Sequence, residues 1–325
     1  MESAKRWAAR HVIILTGQDG SGQVVKEADD EINALIHAWR GLGVRVSFLD
    51  WEDESAEHRC CEAMAVLPLL AWSYSKNPFK FSEFLKKICA GGAQPRADLR
   101  ATQWIVHKEY LSYLRHSGIP IVPTFGLKYT MSADSRAVMI RQLNNCDEFV
   151  VKPAVGGGGD GVERCANATA VDAEVLRRLK EEEIPDMLIQ PFLSRVSELG
   201  ELSFVFINGT LLHAVRKEPK GWSAHSAQPV TRLDAPPAEA ESIARHALKV
   251  ARALSYADES IYLARVDLLP GDDGRWLVSE LELGWPHLFL RAAEGGTAAA
   301  AKAVAEALLH RLEGEERTPK RRRTG

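Results

Sequence analysis

Hydrophobic positions in the first hundred residues switch between short continuous runs and helical spacing. His11–Leu15 is a continuous apolar run, which predicts a buried strand. Thr16–Gly22 is polar and glycine-rich, a turn. Val25, Ala28, Ile32, Leu35, Ile36 and Trp39 then recur at helical spacing, and Gly41 or Gly43 ends that helix. Val44–Leu49 alternates as a second strand, and Ala65–Trp72 is another apolar run. Phe81, Phe84, Leu85 and Ile88 mark a further helix. Strand–helix–strand units of this length predict an open α/β sheet over residues 1–100, closed by a boundary at Ala90–Ala97.

The pattern then changes. Lys108 precedes Tyr110, Leu111 and Leu114, which form the apolar face of a helix that carries it. Ile119–Thr124 is extended, and its prolines suit a sheet edge. Ala133–Leu143 is helical, and Val171–Glu183 is a charged helix read as a solvated face. Asp186–Leu193 is a strand. Glu201–Ile207 and Thr210–Arg216 flank Asn208-Gly209, the strongest short hairpin signal. Lys217–Asp234, with Gly221, Trp222 and His225, is a long polar segment that could cover a site. Ala238–Leu254 is an amphipathic helix, and Ile261–Leu269 and Arg275–Leu281 form a second hairpin. Ala298–Leu312 is an alanine-rich closing helix, followed by a charged tail, 314–325, expected to be disordered.

Composition narrows the classes. The chain has 325 residues, 46% hydrophobic and 26% charged, as in ordinary globular proteins of two or three domains. A net charge of −3 gives no electrostatic case for nucleic acid. Five cysteines without paired spacing argue against a disulfide frame and a zinc site, and favour a reducing compartment. No apolar run suits a membrane helix, and Met1–Arg10 has no secretory h-region, so the expected location is cytoplasmic. The basic run Lys320–Arg323 reads as a solvated tail, with a nuclear signal as the weaker reading.

The candidate chemistry starts at Phe149–Val162. A β-branched run ends in Lys152 and Pro153, and Gly156, Gly157, Gly158, Gly159 and Gly161 follow. Backbone without Cβ can approach an anion and aim successive N–H groups at it, and Lys152 adds a compact charge. A flexible linker has the same composition. The P-loop pattern fails because Val162 and Glu163 follow Gly161, and strand–loop–strand fits better than a strand-to-helix dinucleotide turn. Gly17–Gly22 comes close to the dinucleotide spacing but is a lone glycine-rich turn.

The second hairpin carries acids. Glu280 and Glu282 share one face of a strand, and Asp267 on the partner strand can lie alongside. Three carboxylates on one face repel unless a cation sits between them, and Mg²⁺ takes a few carboxylate oxygens plus phosphates. A polar exposed sheet face is the alternative. Val266, Leu268, Leu281 and Leu283 make the opposite face apolar. His107, His213 and His225 have no second His or Cys at ligand spacing.

Lys108, Lys152 with its glycine loop, Gln190-Pro191-Phe192-Leu193, Arg216 and the Asp267…Glu280-Leu281-Glu282 set occur in an order that resembles the ATP-grasp superfamily over residues 100–312. The ending of the chain is most similar to the glutathione-synthetase-like branch, which includes cycloserine-forming ligases. The resemblance implies an N-terminal α/β domain (1–100), a small subdomain with the phosphate loop (101–190), a C-terminal subdomain with the metal site (191–313) and the tail (314–325). It implies that Lys108 and Lys152 contact ATP, that Gly156–Gly161 folds over the β- and γ-phosphates, and that the Gln190–Leu193 backbone meets adenine. Glu198 or Glu201 holds the ribose, and Asp267, Glu280 and Glu282 hold Mg²⁺, with Mn²⁺ as a substitute. The family's last motif is most often Glu-x-Asn, so Glu282 is a departure that adds one negative charge. Arg216 and Arg265 are the candidates for phosphate or carboxylate contacts, with Arg291 behind them. The implied activity is an ADP-forming carboxylate–amine ligase working through an acyl phosphate on small molecules. An intramolecular cyclo-ligase and an inactive nucleotide-binding protein are the alternatives, and the family suggests a dimer. Substrate recognition is expected from the first domain, the Lys217–Asp234 segment and residues near Trp285.

Overall fold

The computed structural model describes residues 10–17, 30–128, 130–143, 146–181, 186–219, 229–257 and 261–317. Three sheets carry the fold, and each follows from its sequence pattern.

The first is parallel. β1 (His11–Thr16), α1 (Asp30–Gly41), β2 (Arg45–Asp50), α2 (Ala56–Glu62) and β3 (Ala65–Leu70) build a sheet of order β2-β1-β3. β1 and β3 are almost wholly buried, as their unbroken apolar runs require in a parallel sheet. Pro68 is tolerated because β3 is an edge strand. A 3₁₀ turn, Trp72–Lys76, leads into α3 (Pro78–Gly91). The Asn77 side chain caps α3 by accepting from the Lys80 N–H, and Gly92 at φ 105° ends it. Val25 and Ala28, expected on α1, lie outside the described residues.

The second sheet is antiparallel, of order β4-β7-β5-β6. It is made from β4 (Phe125–Lys128), β5 (Phe149–Pro153), β6 (Glu163–Cys165) and β7 (Asp186–Pro191). It follows α4 (Arg96–Ile105) and α5 (Tyr110–His116) in the chain, and is covered by α6 (Ala133–Arg141) and α7 (Ala168–Glu181). α7 is not simply solvated. Val171, Val175 and Leu179 enter the core beneath this sheet, and Arg178 is buried with them. Lys108 sits in the turn before α5 rather than on the helix, where its backbone N–H donates to the Ala154 carbonyl at 2.8 Å. Ile119–Thr124 is extended but forms only an isolated bridge, Ile121 to Val278, on the outer edge of the third sheet.

The third sheet has the order β10-β9-β8-β11-β12. After α8 (Val196–Leu199) come β8 (Glu201–Ile207), β9 (Thr210–Lys217), β10 (Val230–Arg232), α9 (Ala238–Leu254), β11 (Leu263–Pro270), β12 (Trp276–Glu282) and α10 (Gly296–Arg317). Asn208 and Gly209 both take positive φ, 48° and 76°, as a two-residue hairpin of this kind demands. The polar segment after β9 is partly strand, since β10 pairs back onto β9. Gly221, Trp222 and His225 lie outside the described residues. α10 runs past the expected end at Leu312 to Arg317, because no strong breaker occurs before Thr318-Pro319. The rest of the tail, with Lys320–Arg323, is outside the described residues.

Alternation divides the third sheet's faces. Leu202, Phe204, Phe206, Ala264, Val266, Leu268 and Leu281 bury one face against α9, α4 and α5. The helices α4 and α5 therefore pack on this sheet. The opposite face is apolar only at one end, where Val205, Ile207, Val215 and Leu263 meet α10 and α1. At its other end the same face turns polar. The N-terminal layer is tied to the segment after β12 by Glu31, whose two carboxylate oxygens accept from the Leu288 and Leu290 N–H groups.

Gly200, between α8 and β8, has φ 68°, and a Cβ there would lie 2.1 Å from the Lys217 carbonyl oxygen. Gly200→Ala is expected to cost on the order of 1–3 kcal/mol, seen as a lower urea midpoint at unchanged m-value. An unchanged midpoint would show that the turn relaxes freely.

Candidate active site

The polar end of the third sheet is set by cross-strand register. Asp267 pairs with Glu280 on one side and Ser203 on the other, Arg265 with Glu282, and Glu201 with Lys217. These side chains share one face. The Asp267 carboxylate is saturated there. Its Oδ1 accepts from Ser203 Oγ (2.7 Å) and Arg265 Nε (2.8 Å), and its Oδ2 accepts from Arg265 Nη2 (2.9 Å) and Lys217 Nζ (3.0 Å). Arg265 also reaches Glu282 Oε1 at 3.4 Å, and Lys217 donates to Glu201. Burial would raise the Asp267 pKa, but Arg265 and Lys217 outweigh it and hold the carboxyl well below the usual range. Glu282 goes the other way. Burial pushes it up to about 8; Arg265 opposes this, and the charges of Glu280 and Asp267 add to it.

The second sheet supplies the facing wall. β5 ends in Lys152 and Pro153, and the glycine loop runs from there to β6, the strand–loop–strand arrangement the sequence predicts. Lys108 Nζ donates to the Gly156 carbonyl and pairs with Glu280 at 3.1 Å. Burial lowers the Lys152 pKa, and Glu280 counters it. For Glu280, burial raises the pKa, but Lys108 and then Lys152 outweigh it, so the carboxylate stays ionised. Behind these groups Val122, Leu193, Val196 and Leu269 form an apolar slot beside Gln190, whose amide donates to Thr124 Oγ1 at 2.8 Å.

These walls enclose a cleft of about 1160 Å³. Lys108, Lys152, Gly156, Gly157, Gly158, Gly159, Gly161, Gln190, Pro191, Phe192, Leu193, Glu201, Arg265, Glu280 and Glu282 line it. Four candidates do not. Glu198 is exposed outside the cleft, so of the two ribose candidates only Glu201 faces in. Asp267 lies beneath the surface, 1% exposed. Arg216 points away and pairs with Glu218 at 2.9 Å. The cause is an irregularity between Val205 and Phe206, where β9 holds one extra residue. Counting evenly from Asn208-Gly209 sets Arg216 opposite Glu201; the extra residue puts Lys217 there instead and turns Arg216 to the other face. Arg291 is exposed.

Sequence reasoning passed over Lys217, Arg178, Tyr74 and the charge pairing within the acid cluster. Tyr74, from the N-terminal layer, packs against Trp285 with ring centroids 4.2 Å apart and planes tilted by 31°, and both line the cleft. This is where substrate recognition was expected. Lys217 was recoverable from period-two counting only with the bulge known. Arg216→Ala is expected to change stability by less than about 0.5 kcal/mol and leave kcat/KM close to wild type, read by thermal melting and steady-state kinetics. A large loss of kcat/KM would return Arg216 to the site.

Among the described residues no three His, Cys, Asp or Glu side chains are grouped to hold a metal ion. Arg265, Lys217 and Lys108 are paired with the acids. Glu280 and Glu282 still face the cleft, and two carboxylates beside a glycine loop suit Mg²⁺, which keeps waters and takes substrate phosphates. The donor set therefore fits a cation delivered with a nucleotide.

The chain matches no family model. It is similar to the cycloserine biosynthesis protein DcsG of Streptomyces lavendulae, 29% identical over 294 residues that cover 86% of this chain and 94% of that protein. Among solved structures it is similar to the D-cycloserine synthetase DcsG, with a TM-score of 0.76 and 24% identity over 92% of this chain and 99% of that one. It is also similar to the D-alanine–D-alanine ligase of Bacillus anthracis complexed with ATP, with a TM-score of 0.65 and 16% identity over 94% and 100%.

Proposed function

We propose that this chain is an ATP-dependent ligase of the ATP-grasp superfamily, which phosphorylates a small-molecule carboxylate with ATP and passes the acyl phosphate to an amine or related nucleophile, releasing ADP and phosphate. The observation that carries this reading is the convergence, on one cleft, of Lys108, Lys152 and the glycine loop from one side with Arg265, Glu280 and Glu282 from the other.

The problem such a reaction poses is negative charge. Phosphates and a carboxylate must be held together while charge spreads over the transferring group, and preorganised donors lower that barrier with little covalent chemistry from the protein. Lys108 and Lys152 hold the phosphates, and the loop N–H groups of Gly156–Gly161 cover them and exclude water from the acyl phosphate. Gln190–Leu193 and the apolar slot take the adenine, and Glu201 takes the ribose. Arg265, fixed in direction by Asp267, faces the transferred group with a planar fork suited to carboxylate and phosphoryl oxygens. Lys217, held by Glu201 and Asp267, adds a second fixed charge. Glu280 and Glu282 would hold Mg²⁺, or Mn²⁺ in its place, which when bound neutralises phosphate charge. Asp267 is better suited to aiming Arg265 and Lys217 than to ligation. The Tyr74–Trp285 wall faces the carboxylate substrate. A cytoplasmic location and a homodimer belong to this proposal. Among the described residues no helix is long and apolar enough to cross a membrane.

A second reading is intramolecular ring closure, favoured by the likeness to a D-cycloserine synthetase over nearly its full length. One experiment separates the readings. ADP and phosphate release from Mg·ATP is measured across amino acids and small carboxylates, with and without amine acceptors. Release that needs both partners supports the intermolecular ligase, and release with one substrate alone supports ring closure. AMP and pyrophosphate would overturn both. ATP binding without turnover on any substrate would favour a protein that acts through a partner.

A further inference from the structure

The glycine loop is fastened at its two ends by different means. At its start the Ala154 N–H donates to the Asp186 carbonyl, the Ala154 carbonyl accepts from the Lys108 N–H, and Lys108 Nζ takes the Gly156 carbonyl. At its far end the Gly161 carbonyl accepts from the guanidinium of Arg178 on α7. Gly161 is suited to this in two ways. Its φ is 68°, and a Cβ would lie 2.5 Å from Arg178 Nη2 and 3.0 Å from Pro153 Cγ. A side chain at Gly161 would thus occupy the space the guanidinium needs.

Arg178 is also placed as a cleft residue. Its side chain is only 9% exposed, and what it exposes lines the cleft beside Gly161 and Val162. Its neighbours on α7, Val175 and Leu179, are core residues. The Glu174 carboxylate lies 3.9 Å away but is held more closely by Arg177, at 2.7 and 3.0 Å.

We propose that Arg178 is a nucleotide-positioning residue that fixes the outgoing end of the glycine loop and adds a third cation, after Lys108 and Lys152, at the phosphate end of the cleft. This rests on the reading that the cleft takes nucleotide phosphates. A charge-assisted contact of this kind acts on ADP and ATP and leaves adenine recognition alone.

The test is calorimetric binding of ATP, ADP and AMP, with Mg²⁺ and no carboxylate substrate, to the wild type and to Arg178→Met, Arg178→Lys and Gly161→Ala. Arg178→Met is expected to weaken ATP and ADP roughly tenfold to a hundredfold and AMP less than about threefold. Arg178→Lys recovers part of the loss, because the charge returns without the planar fork. Gly161→Ala, which displaces the guanidinium without removing it, gives the same bias against ATP and ADP. Equal weakening of AMP and ATP in these variants would mean a structural role and overturn the proposal, as would wild-type ATP affinity in Arg178→Met. A wild type that binds no ATP would sink the functional reading and this inference with it, whereas ATP binding without ligase turnover leaves the inference standing.

Discussion

Glu280→Gln is expected to cut substrate-dependent ADP release by roughly 10²- to 10³-fold while ATP still binds. The side chain is nearly isosteric, so the strand and the Asp267 pairing remain. What disappears is the charge that Lys108 meets at 3.1 Å and that counters the desolvation of Lys152. Two ammonium groups then share the glycine-loop end of the cleft without the Glu280 carboxylate. ATP phosphates compensate them in the ground state, so binding survives. A cation that Glu280 would hold loses a ligand, and the transferring group loses its charge balance. Single-turnover ADP formation, with ATP affinity measured separately, separates the two effects. Turnover within threefold of wild type would remove Glu280 from the reaction.

Arg265→Ala should lose both activity and stability, the latter by about 3–5 kcal/mol. The guanidinium is 4% exposed and bridges Asp267 through two hydrogen bonds while reaching Glu282. Without it Asp267 keeps Lys217 and Ser203, but Glu282 keeps no cation within ion-pair distance among the described residues. Removing the guanidinium leaves the buried Asp267 carboxylate short of one of its two cations, which is why the cost exceeds that of a surface pair. Arg265→Lys is expected to recover some stability and little activity, because a point charge cannot make the two-pronged contact. Denaturant unfolding and single-turnover kinetics read the two losses. A destabilisation below about 1 kcal/mol would mean that water reaches the cluster and screens it.

The parts of this molecule that read clearly from sequence are those governed by local rules. The strand–loop–strand around Gly156–Gly161, the Asn208-Gly209 hairpin and the Ala238–Leu254 helix each carry their own signal, and the structure has all three. Asp267 beside Glu280 and Glu282 was legible as a grouping, but the register that brings it about was not, and the placement of Lys217 and Arg216 did not read at all. On β12 a second irregularity, between Asp267 and Leu268, sets Glu280 opposite Asp267; even counting from the Pro270–Trp276 pair would have set Ser279 there. The acid cluster and the exchange of Lys217 for Arg216 therefore both come from single extra residues. Nothing in a window of alternating side chains marks such an insertion, because it is stabilised by neighbours on other strands. Arg178 was hidden for a different reason. On a helix rich in charge, one inward arginine looks like the outward ones until the strand it covers is known.

Glu31 has one more implication. Its carboxylate is spent on two backbone N–H groups immediately beyond the strand that bears Glu280 and Glu282. The layer that carries Tyr74 is thus tied directly to the segment that follows the strand of Glu280 and Glu282, rather than hung beside it on a linker. Such an enzyme is poorly suited to acquiring new substrates by exchange of its front module. A transplanted module lacking a carboxylate at that point would leave that segment's own backbone unsatisfied. Its evolutionary freedom is narrowed to side chains on a fixed wall, Tyr74 and Trp285 among them.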